Sequence, residues 1–233
     1  MKPEIIYEDN YIIACVKPCG VPAQGDRSNS EDMICILKNY LFDRSEEDDE
    51  PYVAPIHRLD RPVGGIMLFA KTRECAAALS DIMQDGGMVK YYQAILTGSL
   101  PDEAGELSDY LYHDKKTNVT SVVAKGTRGA KKASLYYEVI DEFETDEGVL
   151  SYVLIQLDTG RHHQIRVQTA AHGAGIWGDT KYNKLFKNSK KKYRQIGLYA
   201  SRLEFEHPVT GEHIVLKKEP QGEAFDMIEL DEF

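Results

Sequence analysis

The sequence predicts an α+β protein whose central sheet is mixed and largely antiparallel, flanked by helices and loops. Two patterns predict it. Short β-prone runs recur along the chain, and in its middle they are separated by turns rather than by helices, as antiparallel pairing requires. Two other stretches place apolar residues at helical spacing, so helices pack beside the sheet. No internal repeat appears at a fixed period.

Taken in order, Ile5-Ile6-Tyr7 and Tyr11 to Val16 are β-prone runs separated by Glu8-Asp9-Asn10, which predicts a hairpin. A turn-rich loop, Lys17-Pro18-Cys19-Gly20-Val21-Pro22, follows. Ser28 with Glu31 has the form of a capping box, and Met33, Ile36, Leu37, Tyr40 and Leu41 recur at helical spacing. These predict a helix from about Ser30 to Phe42. The acidic run Asp43 to Glu50 is expected to be an exposed loop set away from any polyanion. A second helix is predicted from about Thr72 to Gln84, with Cys75, Leu79, Ile82 and Met83 on one stripe and Gly86-Gly87 ending it. Strands follow at Val89 to Gly98, Ser121 to Ala124, Ala133 to Ile140 and Leu150 to Leu157, and a helix begins near His162.

The chain is organised around His57-Arg58-Leu59-Asp60-Arg61-Pro62-Val63-Gly64-Gly65, which runs straight into the apolar stretch Ile66 to Ala70. Pro62 stops any helix and the glycines free the backbone, so this is a loop feeding a buried strand. Asp60 sits between Arg58 and Arg61, whose charge favours the carboxylate form. A poised nucleophile or base and a structural ion pair both fit that stretch by itself.

Composition bounds the rest. With 233 residues and 42% hydrophobic content the chain buries a real core. Cys15, Cys19, Cys35 and Cys75 contain no Cys-x-x-Cys pair, which predicts reduced thiols rather than a disulfide framework or a zinc site. The N-terminus lacks the apolar core of a signal peptide, and the longest apolar runs are too short to span a bilayer. A cytoplasmic protein with no membrane partner is expected. The net charge of −10 argues against a nucleic-acid partner only on average. Residues 115 to 137 hold Lys115, Lys116, Lys125, Arg128, Lys131 and Lys132 with no acid, and 181 to 203 hold six lysines and two arginines with none. Acid collects at Asp43 to Glu50, at Glu138 to Glu147 and after Glu219, so one basic face is possible on an acidic molecule.

The His57-Arg58-Leu59-Asp60 motif, with Gly65, an apolar strand and Ala70-Lys71-Thr72, resembles the signature of the RluA-type pseudouridine synthases. These enzymes isomerise uridine in RNA. Four further blocks resemble the same family in order: the Lys17-Pro18 loop; Lys90-Tyr91-Tyr92-Gln93-Ala94; Thr159-Gly160-Arg161-His162-His163-Gln164-Ile165-Arg166; and Gly178-Asp179-Thr180-Lys181-Tyr182 with the closing strand around Leu198 to Phe205. The family often has Thr-Ser-Gly where this chain has Val63-Gly64-Gly65.

The resemblance implies a single catalytic domain over residues 1–233 with no separate N-terminal RNA-binding domain. It implies an isomerase that takes rRNA or tRNA as partner and needs no cofactor or metal. Asp60 is then the catalytic residue, Arg161 its bidentate partner, and Tyr92 the active-site tyrosine. RNA contacts are expected from His57, Arg58, Arg61, Ile165, Arg166 and Lys181. His57, His162, His163 and His172 do not have metal spacing, because adjacent histidines on one helix point in different directions. A non-catalytic RNA-binding relative would be expected to lose one of Asp60, Tyr92 or Arg161, and all three are present. An aspartate-dependent nucleoside hydrolase would have no reason to keep the lysine-rich loops.

Overall fold

A computed structural model describes residues 1–25, 30–46, 49–145, 148–190 and 194–227. Along the chain run β1 (Glu4–Glu8), β2 (Ile12–Lys17), α1 (Met33–Phe42), β3 (Ala54–Pro55), β4 (Gly64–Ala70), α2 (Arg73–Gln84) and β5 (Met88–Thr97). They continue with β6 (Ala104–Asp114), β7 (Val119–Val123), β8 (Lys131–Thr145), β9 (Gly148–Leu157), α3 (Gln164–Ala171), β10 (Gly175–Ile176), β11 (Leu198–Glu206) and β12 (His213–Lys217). The chain divides into two compact units, residues 1–90 with 200–220, and residues 91–199 with 221–233.

In the first unit the strand order is β1-β2-β4-β11, with β12 beside β11 and β3 beside β4. Every residue of β2 and β4 is buried. That is what an unbroken apolar run means: with both faces covered, alternation has nothing to select. The β1–β2 turn is closed by Asp9, whose Oδ1 accepts from the amides of Tyr11 and Ile12, both at 2.7 Å. Helix α2 begins at Thr72, whose hydroxyl accepts from the Cys75 amide at 3.1 Å. It buries Cys75 and Leu79 in a core with Ile66, Leu68, Phe205 and Leu216. Each such side chain contributes roughly 1.5 to 3 kcal/mol. Gly65 has φ +120, and a Cβ there would lie 2.3 Å from the Ala200 carbonyl oxygen. Only glycine fits where β4 meets β11.

In the second unit the order is β5-β9-β8-β6-β7, with β10 paired to β5. The β8–β9, β6–β8 and β6–β7 ladders are all antiparallel. Alternation shows in β6 and the first half of β8. Leu107 and Leu111 of β6, with Ala133 and Leu135 of β8, are buried on one face, where Leu111 and Ala133 pack with Val167 of α3.

Several expectations need correction. Helix α1 starts at Met33 rather than near Ser30, because Asp32 caps it, its Oδ1 accepting from the Cys35 amide at 2.8 Å. Ser28, the expected cap, lies outside the described residues. Thr72 is the cap of α2, not its first turn. β6 and β12 were not expected at all, and β8 extends from Lys131 to Thr145, well past Ile140. The four cysteines are free thiols. Among the described residues no helix is long and apolar enough to cross a membrane.

Candidate active site

In the first unit, Asp60 lies on the loop between β3 and β4, its own carbonyl accepting from the Val63 amide at 2.9 Å. Two fastenings hold this loop to the turn after β2. The Gly20 amide donates to the Arg61 carbonyl at 2.8 Å, and Arg61 Nε donates back to the Gly20 carbonyl at 2.9 Å. Beneath them Lys17 is wholly buried, its ammonium donating to the carbonyls of Pro18 (3.0 Å), Val21 (2.8 Å) and Arg61 (3.2 Å). Burial pulls the Lys17 pKa down to about 8, against the opposite influence of the neighbouring Cys19 and Asp60. A buried cation thus sits within electrostatic reach of Asp60 and pins the backbone of the next residue.

His57 opens the same loop. Its Nε2 accepts from the Leu68 amide at 3.3 Å, so the proton of the neutral ring belongs on Nδ1. Desolvation, reinforced by the Lys90 charge, brings its pKa down to about 4. Arg58 and Arg61 are exposed, and Arg61 also reaches the Ser30 hydroxyl at 3.3 Å.

In the second unit the corner between β9 and α3 is locked by Gln164. Its Oε1 accepts from the Arg161 amide (2.9 Å) and the Thr159 hydroxyl (2.8 Å), while its Nε2 donates to the Ser134 carbonyl (3.0 Å). Arg161 is exposed beside the start of β8, its Nε donating to the Lys132 carbonyl at 3.0 Å. The remaining guanidinium nitrogens match a bidentate oxyanion. In β5, Tyr92 is buried and Tyr91 half-buried, as alternation requires.

Two of the expected RNA contacts are not at the surface. Ile165 is buried, and Arg166 forms a buried two-pronged pair with Asp179, at 2.7 and 2.9 Å. The cause is that α3 is buried nearly all round, Gln164 to Thr169 included. Lys181 is exposed, with Nζ donating to the Asn118 carbonyl at 2.9 Å.

The histidines also differ from expectation. His163 is the N-cap of α3 in the left-handed conformation (φ 52), not a helical residue, and this brings its ring 3.7 Å from that of His162. His113 of β6 stacks on His162 at 3.8 Å. The Tyr182 hydroxyl joins this column to the rest, 2.6 Å from His163 Nδ1 and 3.0 Å from the Thr120 amide that donates to it. Burial, then the charges of Arg166, His162 and Lys181, bring the His163 pKa down to about 2. Among the described residues no group of three or more His, Cys, Asp or Glu is disposed to hold a metal ion.

Sequence reasoning gave no role to Lys17, Asp179 or Tyr182, although each stood in a quoted block. A lysine inside an apolar run and a carboxylate thirteen positions from a helix arginine were the available signals.

Residues 10–171 match the family model described as RNA pseudouridylate synthase, a span that contains both Asp60 and Arg161. The chain belongs to the RNA pseudouridylate synthase family. As an RNA pseudouridine synthase it is an isomerase. It is 30% identical over 226 residues to "tRNA pseudouridine synthase C" of Vibrio parahaemolyticus, covering 92% of this chain and 89% of that one. It is 28% identical over 221 residues to "Ribosomal large subunit pseudouridine synthase D" of Pseudomonas aeruginosa, covering 89% and 65%. Among solved structures, "Human RNA Pseudouridylate Synthase Domain Containing 4" superposes with a TM-score of 0.74 at 23% identity, covering 93% of this chain and 88% of that one. That likeness shows the pseudouridine synthase fold.

Proposed function

We propose that this pseudouridine synthase isomerises particular uridines of structured RNA, of the tRNA or rRNA class, with Asp60 as its catalytic carboxylate. The observation that carries the reading is the family match over residues 10–171. The anchoring of the Asp60 loop by Lys17 and Gly20 supports it, because a reacting carboxylate must be fixed. The RNA classes are those named for relatives at 30% and 28% identity.

In the reaction the C1′–N1 bond breaks, the uracil turns, and a C1′–C5 bond forms. N1 gains a proton and C5 loses one, so the atoms balance with no co-reactant. Asp60 acts as nucleophile or as base. Arg161 is assigned to hold it ionised, and Tyr92 to stack on the uracil and assist proton transfer. The target base must leave its stack, at a cost on the order of a few kcal/mol that is smallest in loops and bulges. Arg58 is assigned to the space it vacates. His57, Arg61 and Lys181 are assigned to the RNA, whereas Arg166, already paired to Asp179, supports α3 instead.

The test is carbodiimide mapping of pseudouridine in total tRNA and ribosomal RNA incubated with the purified protein. New stops at defined uridines in one class are expected. No new stop in either class would contradict the proposal.

A further inference from the structure

Beyond the reaction, one face of the second unit's sheet is open. Alternation along β6 puts Tyr110 and Tyr112 opposite in direction to the buried Leu107 and Leu111. The β6–β8 register sets Tyr110 against Lys132 and Glu106 against Tyr136, so three tyrosines and a lysine share that face. Tyr112 and Tyr136 are 40% and 47% exposed. The turn after β7 lies against Tyr112: Gly129, at φ +84, is close enough that a Cβ there would meet the ring edge at 3.5 Å. That turn carries the exposed Lys125 and Arg128, and Lys131 and Lys132 follow it.

Beside Tyr110 and Tyr112 the charge is basic, whereas Glu106, opposite Tyr136 on the same face, marks the acidic edge. No acid occurs between residues 115 and 137. Further along β8 the sign reverses, with Glu138, Asp141, Glu142 and Glu144. A polyanion is therefore attracted to one end of the ladder and repelled from the other. Side chains two apart on a strand are roughly 7 Å apart, so Tyr110 and Tyr112 each present a ring to a separate, splayed base.

We propose that the Tyr110–Tyr112–Tyr136 face, rimmed by Lys125, Arg128 and Lys132, binds an unpaired RNA segment of the substrate by base stacking and phosphate contact. The proposal deepens the reading above, since it adds a single-stranded element to the substrate. Stacking on phenol rings tolerates any base, so this face selects for unpaired RNA and not for sequence. A duplex, whose bases are hidden, gains only the phosphate contacts.

The test uses the full chain and a labelled, unstructured ten-nucleotide uridine-rich RNA, with a duplex of equal length beside it. Fluorescence anisotropy is read for Tyr112→Ala, Tyr112→Phe, Tyr136→Ala and Tyr136→Phe. The alanine variants are expected to bind the single strand about 5- to 150-fold more weakly, the phenylalanine variants to bind it as the parent does, and duplex affinity to stay unchanged. Parent-like single-strand binding by both alanine variants would overturn the proposal, as would no binding by the parent chain. Loss of self-association without loss of RNA affinity would overturn it too, assigning the face to a second copy. Tyrosine-dependent binding by a chain that forms no pseudouridine in total tRNA or ribosomal RNA would leave this proposal standing and remove the reading above on which it rests.

Discussion

Lys17 Nζ donates to the carbonyl oxygen of Arg61 at 3.2 Å, across 44 positions of sequence, and so clamps the residue that follows Asp60. The clamp uses a charge buried where solvation is lost, and three carbonyls replace the water. Lys17→Met keeps the length and removes every donor. The Val21 carbonyl then loses its donor, while those of Arg61 and Pro18 keep the amides of Gly20 and Val21, so the loss is about 1 to 3 kcal/mol before relaxation. Urea unfolding at pH 7 is expected to show a midpoint well below the parent's. Lys17→Arg is expected to restore little, because a planar fork does not fit a site built for a point charge. A Lys17→Met midpoint equal to the parent's would show the clamp to be unimportant.

Glycines at positive φ differ in what surrounds them. Gly20 (φ +86) has open space, and Gly65 (φ +120) abuts the Ala200 backbone. Gly20→Ala is expected to cost about 1 to 2 kcal/mol of backbone strain. Gly65→Ala adds a clash that no rotamer relieves and is expected to cost about 3 kcal/mol or more. Equal denaturation midpoints for the two variants would contradict this placement of β4.

The basic residues of the second unit separate into structural and surface groups. Asp179→Asn removes the carboxylate that pairs with the buried Arg166 and is expected to lower stability by about 3 to 5 kcal/mol. Lys132→Ala, on an exposed residue, is expected to change stability by less than about 0.5 kcal/mol. In exchange it lowers the salt dependence of RNA affinity by roughly 0.7 to 0.9 in log–log slope. Titrating RNA binding against potassium chloride checks the second half, and an unchanged slope would remove Lys132 from the interface.

Acid sensitivity follows from two histidines kept neutral. His57 is brought down to about 4 and His163 to about 2, from an ordinary value near 6.5. Both shifts disfavour the imidazolium in the folded state. As pH falls below about 6.5 the unfolded chain takes up these protons first, so stability declines with pH. The His57 share declines down to about pH 4, and the His163 share further, to about pH 2. Urea midpoints at pH 7 and pH 4.5 are expected to differ less for His57→Asn than for the parent. An identical pH dependence would show that His57 titrates normally.

How much of this was legible in the sequence depends on what fixed each element. β4 was plain, because a strand buried on both faces needs only an apolar run and Pro62 with the glycines marks its start. β6 was not, since Glu106, Ser108, Asp109 and Asp114 interrupt its apolar positions and its partner β8 lies beyond a separate hairpin. The end of α1 was readable and its beginning was not, because Asp32 competes with Ser28 for the cap and the sequence does not rank them. In α3 the difficulty was greater. Its buried residues include Gln164, Arg166, Gln168 and Thr169, which no hydrophobic period reveals. Their partners, Ser134, Asp179, Leu107 and Asp109 among them, come from elements distant in sequence. The same burial removed Arg166 from the expected RNA contacts, and the left-handed His163 joined two rings that a helix would have kept apart. At the loop itself the motif marked Asp60, while the reason it is held there, Lys17, was visible only once the backbone carbonyls had positions.

Asp60 as the reacting carboxylate is most directly tested by tritium release from RNA labelled at uridine C5, comparing the parent chain with Asp60→Asn shown by circular dichroism to be folded. The variant keeps shape and hydrogen-bonding capacity but carries no charge and neither adds to carbon nor takes a proton. Release is expected to fall by about 100-fold or more, with RNA affinity retained. Release from the folded variant at a rate near the parent's would contradict the assignment.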